Sequence, residues 1–141
     1  MSLVDSQNTL SDDQTLIQTV AAGAVASTNV IDLSVDRDIG KGEPVPFLAQ
    51  ITTACVGATG TLTLILETDD NEAFASAEAL WTSEAIPVAN LVAGYKFPLN
   101  FLPRTNQRYL RVTYTVGTAD FTAGAIFTAI GSEDQTNLVN V

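Results

Sequence analysis

The chain has 141 residues, 46% of them apolar and only 16% charged, with sixteen acids against six bases and a formal net charge of −10. That size suits one domain whose core needs neither disulfide nor metal, and the apolar content excludes a disordered tail. The acidity works against phosphate backbones and anionic membrane surfaces, which both demand basic residues, so the expected partners include no nucleic acid and no membrane.

An ordinary soluble domain is about 25% charged. Much of this surface must therefore be Thr, Ser, Asn, Gln and Ala, which are easier to bury against a partner than Lys or Glu. The chain has no histidine and one cysteine, Cys55, so an internal disulfide is impossible and no oxidising compartment is needed. Cys55 lies in ITTACVGATG (51–60) and reads as a small packed side chain at a strand end. Residues 1–13 (MSLVDSQNTLSDD) lack the basic start and apolar core of a signal peptide. The longest apolar run, VAAGAVA at 20–26, is too short to span a bilayer. A soluble protein made in a cytoplasm is the expectation.

In chain order, residues 1–13 read as an extended N-terminal arm, polar and acidic (Asp5, Asp12, Asp13), with Leu3, Val4 and Leu10 as anchors. A short strand follows at 15–20 and a better one at 27–33, where Asn29, Ile31 and Leu33 alternate with Val30 and Asp32. The 34–46 loop holds two glycines, two prolines and charges of alternating sign; such loops are connectors or binding elements. A strand at 47–53 presents Phe47, Ala49 and Ile51 on one face.

The strongest period-two segment is 61–74 (TLTLILETDDNEAF), with Leu62, Leu64 and Leu66 inward and Asp69, Asp70 and Asn71 ending the strand. Residues 72–78 suggest one loose helical turn, and a short strand surrounds Trp81. At 95–101, Tyr95, Phe97, Leu99 and Phe101 alternate on one face, with Pro98 demoting the segment to an edge or bulge. The 108–116 strand (RYLRVTYTV) points Leu110, Val112, Tyr114 and Val116 inward, and a hairpin at 117–120 leads into a last strand at 121–130. The pattern predicts an all-β, antiparallel eight-strand sandwich of jelly-roll type, with an immunoglobulin-like sandwich second. The domain occupies 14–131, between the 1–13 arm and a polar C-terminal tail at 132–141.

Without histidine, most nucleophile–base arrangements and zinc sites built on Cys and His cannot be assembled. No phosphate loop or dinucleotide fingerprint occurs. Glu67, Asp69, Asp70 and Glu72 could in principle serve a glycosidase or hold calcium, but a solvated turn explains them more simply. We therefore expect no enzyme, no metal and no cofactor. Trp81, Tyr95 and Tyr109 could form a sugar-stacking platform, although scattered aromatics in a β-rich chain more often pack. Lys96, Arg104, Arg108 and Arg111 lie within sixteen residues. They read as strand-end charge balance or, more sharply, as a positive patch for an acidic partner.

Five segments in order, SLVDSQNTLSDDQ (2–14), RDIGKGEP (37–44), LETDDNEAF (66–74), VAGYKFPL (92–99) and RYLRVTYTV (108–116), together resemble the Bbp16-type capsid cement proteins of tailed bacteriophages. None of these is a catalytic motif. The resemblance implies a small jelly-roll protein, dimeric at capsid two-fold positions, that clamps the outside of a head by bridging major capsid protein subunits. It also implies a virion location after assembly in the host bacterial cytoplasm. On that reading the arm (Leu3, Val4, Asp5) and the 34–46 loop contact the capsid, and Arg37, Lys41, Arg104 and Arg108 pair with capsid carboxylates. The alternative is a carbohydrate- or receptor-binding sandwich, which needs an exposed aromatic platform or bound calcium.

Overall fold

The computed structural model describes residues 6–17, 24–35 and 45–131. Among them, nine strands run in chain order: β1 (Thr9–Thr15), β2 (Ala24–Ala26), β3 (Ile31–Asp32), β4 (Phe47–Val56), β5 (Thr61–Asp69), β6 (Glu78–Thr82), β7 (Ile86–Pro87), β8 (Tyr109–Gly117) and β9 (Ala123–Ile130). Every pairing is antiparallel. The smaller sheet has the order β1-β9-β4. The larger runs β2-β8-β5-β6, with β3 beside β2 along β8 and β7 beside β6 along β5. The all-β antiparallel expectation holds.

β5 and β8 form the spine because their alternation gives each a predominantly apolar face. Leu62, Leu64, Leu66, Leu110, Val112, Tyr114 and Val116 are all fully buried, and they meet Leu10, Ala49, Ile51 and Ile126 of the other sheet in one core. Burying a Leu or Ile side chain is worth about 1.5–3 kcal/mol, so this shared face dominates the cohesion of the fold.

Several sequence expectations change, the first being the strand count, nine among the described residues where eight were expected. The arm ends earlier than position 13: Thr9–Thr15 is a strand paired with β9, and Leu10 is core. Polar residues build it through side-chain bonds, since Ser11 is fully buried and Asp13, at φ 51, forms part of an irregularity that bends the strand. The strand expected at 27–33 shortens to Ile31–Asp32. Residues 117–122 are no hairpin but a crossover, because β8 and β9 lie in different sheets. Phe121, at its end, is fully buried against Gly57 and Gly60, where no larger residue would fit.

The last change concerns 95–101, which forms no regular strand. It runs along the free edge of β4 through single bridges (Gln50↔Lys96, Pro46↔Phe101) and bonds such as Ile51 N–H to Tyr95 C=O, 2.9 Å. Pro98 supplies no donor there. Phe97 and Leu102 are buried, whereas Phe101 is 53% exposed, so the alternation fails at its end.

Gln14 ties the two sheets together along one flank. Its Nε2 donates to Ala26 C=O (2.9 Å), and its Oε1 accepts from Thr28 N–H (2.8 Å) and from the Ser11 hydroxyl (2.6 Å). Cys55 is buried in β4, as expected, and desolvation raises its thiol to about 11. The folded protein is therefore expected to resist thiol reagents near neutral pH and to label only when denatured. Rapid labelling of the native state would contradict this packing.

Candidate functional site

The basic cluster does not form an unpaired patch. Arg108 donates through Nε and Nη2 to both oxygens of Asp32 (2.7 and 2.9 Å), and its guanidinium sits 4.9 Å from the centre of the Tyr109 ring. That hydrogen bond, followed by one from Ser34 N–H, brings the Asp32 carboxyl down to about 2. Arg111 bonds Glu67 (2.6 Å) directly across the ladder and covers the Phe74 ring at 4.2 Å. Lys96 and Arg104 are exposed and engage neighbours of their own. Leu3, Val4, Asp5, Arg37 and Lys41 lie outside the described residues.

The acidic turn is structural. Asp69 is fully buried; its Oδ2 accepts from Ser76 N–H (2.8 Å), and its Oδ1 accepts from Asn71 N–H (3.2 Å) and the Ser76 hydroxyl (3.0 Å). Desolvation, the largest influence, pulls its pKa up, but these hydrogen bonds, together with one involving Asp70, hold it below the usual carboxylate value. The expected helical turn at 72–78 is instead a loop hung on Asp69 and on Asn71, whose Oδ1 accepts from Ala73 N–H (2.9 Å). Glu67 points to the outer face, where Arg111 and the Thr113 hydroxyl hold it. Among the described residues, no three His, Cys, Asp or Glu side chains are grouped to hold a metal ion.

Two features remain open to a partner. One is the outer face of the larger sheet, where alternation turns Thr61, Thr63, Ile65, Thr113 and Thr115 outward, all half-buried, beside the exposed Ala24, Ala26 and Thr82. Hydroxyls and methyls dominate this face, and the Glu67–Arg111 pair closes one end. The other is a hollow of about 400 Å³ lined by Trp81, Thr82, Ser83, Glu84, Ile86, Tyr95 and Pro98. It lies on the flank opposite Gln14, where the edge of β6 faces the 95–98 segment that borders β4.

The hollow is firmly walled. Ser83 is buried; its hydroxyl accepts from Leu64 N–H (2.9 Å) and donates to Glu84 C=O (2.8 Å), fixing the turn after Trp81. The Tyr95 ring meets Phe97 edge-on at 5.3 Å between centroids. Two of the three aromatics singled out in the sequence, Trp81 and Tyr95, thus share one cavity. Tyr109 does not join them, being buried beneath Arg108. Glu84 and Ile86 gave no sequence signal and Pro98 signalled only an edge or bulge, because only the approach of two sheet edges brings them together.

Comparison with curated proteins finds no match. The profile of one protein family, Bbp16, matches residues 11–130, from the middle of β1 to the end of β9. With the match spanning nearly every strand described above, the chain belongs to the Bbp16 family.

Proposed function

We propose that the protein is a capsid decoration protein that binds the outer surface of a tailed-phage head and stabilises it by bridging neighbouring major capsid protein subunits. The observation that carries this reading is the family match over residues 11–130, taken with the resemblance of five ordered segments to phage cement proteins. On this reading the two-sheet architecture is a jelly roll and the working unit is a homodimer at capsid two-fold positions.

The physical features are consistent with work done by burial rather than by catalysis. A sheet face of Thr, Ile and Ala loses little hydration when covered, and repetition over a lattice multiplies weak contacts. Because Arg108 already pairs with Asp32, a capsid carboxylate would have to compete with that pair to engage it. Contacts made only with the assembled shell stabilise that shell by mass action. Heads lacking the protein are therefore expected to disrupt at a higher temperature once it is added back. Bound protein with no change in disruption temperature would remove the stabilising role.

A further inference from the structure

We propose that the Trp81–Tyr95 hollow is a binding site for a neutral saccharide. This inference does not rest on the capsid reading: the hollow lies at the β6 edge of the larger sheet and shares only Thr82 with the outer sheet face.

Several observations point to this ligand class. The volume, about 400 Å³, falls within the range of small-molecule sites, about 300–1,000 Å³. Its apolar walls are the Trp81 and Tyr95 rings with Ile86 and Pro98, and all four are at least partly exposed. A pyranose carries C–H groups on one face and hydroxyls around its rim, so it needs flat apolar walls together with acceptors at the edge. Among the lining residues, Glu84 and Thr82, both exposed, carry the groups that could serve as that edge. A carboxylate takes two hydroxyl donors at once.

Charge narrows the choice. The hollow is lined by no Lys or Arg and the chain carries a net charge of −10, so phosphorylated or acidic ligands are disfavoured. The walls are also held before any ligand arrives, through the Ser83 hydrogen bonds and the Tyr95–Phe97 contact. Such preorganisation lowers the ordering cost of binding.

Trp81 is the sole tryptophan, so intrinsic fluorescence reports on this site alone. The full chain would be titrated with glucose, galactose, N-acetylglucosamine and their β-linked disaccharides, with choline and sialic acid as charged comparisons. The expected result is a saturable change in Trp81 emission with at least one neutral sugar. Tyr95→Ala and Glu84→Gln should each weaken it about tenfold or more, whereas Tyr95→Phe should retain it and so separate loss of stacking from loss of fold. The inference is overturned if no neutral sugar perturbs Trp81. It is equally overturned if the response survives both Tyr95→Ala and Glu84→Gln, or if choline alone binds, which would make the hollow a cation cage. Head binding by Glu84→Gln is expected to match the wild type, keeping this test distinct from that of capsid decoration.

Discussion

Tyr114→Phe is expected to destabilise the protein by about 1–3 kcal/mol while leaving the fold intact. Tyr114 carries a polar tip into the centre of the core. It stands on β8, yet its hydroxyl lies 2.7 Å from Ser11 Oγ of β1 and 2.6 Å from Thr128 Oγ1 of β9. All three residues are fully buried, so this is a hydrogen-bonded bridge from one sheet to the other, sealed from water. Removing the phenol oxygen takes a partner from each of two buried hydroxyls; Ser11 keeps its bond to Gln14, so the main penalty falls on Thr128, at about 1–3 kcal/mol for a buried group left unsatisfied. Urea denaturation of both forms measures the difference. A change below half a kcal/mol, roughly the size of a neutral surface substitution, would mean that the bridge contributes little.

The same residue sets an alkaline limit. Desolvation, only partly opposed by the hydrogen bonds with Ser11 and Thr128, pushes the Tyr114 hydroxyl from 10 up to about 12. The neutral phenol is favoured in the folded state, so its contribution is complete below pH 10 and is lost as pH rises toward 12. The displacement corresponds to roughly 3 kcal/mol at most. Wild-type stability is thus expected to fall over this window more steeply than that of Tyr114→Phe. Parallel slopes would contradict the assignment.

Gly124→Ala is the second large effect, expected at about 2–4 kcal/mol. Gly124, the second residue of β9, has φ +145, a backbone conformation that residues with a Cβ rarely adopt, and an added methyl would lie 2.7 Å from Cys55 Sγ and 3.3 Å from Cys55 Cα. Two penalties combine here: backbone strain and overpacking against β4. They can be separated. Cys55→Ala removes the sulfur but neither the strain nor the backbone contact, so the double variant should be less unstable than the sum of the singles by about 1 kcal/mol. Strict additivity would show that the sulfur is not what the methyl meets.

How far the fold could be read from the chain depended on where each strand's stability originates. β5 and β8 carry their own signal, because a face buried against the opposite sheet must be apolar at every second residue, and Leu62 to Leu66 and Leu110 to Val116 comply. β1 (TLSDDQT) has no such pattern. Its Ser11 and Gln14 are held by hydrogen bonds to residues distant in sequence, Tyr114 and Thr28, and no local rule reveals those partners. The converse error arose at 95–101, where a regular alternation met a proline and an edge position, and isolated bridges replaced a ladder. The turn chemistry of Asp69 and Asn71 was legible because it is local; the burial of Asp69 was not. For the hollow, sequence could nominate Trp81 and Tyr95 by type alone. Their convergence depends on the fold.

The measurement that bears most directly on the central claim is co-sedimentation of the purified protein with phage heads that lack it, expanded and unexpanded in parallel. Capsid decoration predicts saturable binding to expanded heads, at a stoichiometry fixed by the lattice. Absence of binding to either form would contradict it.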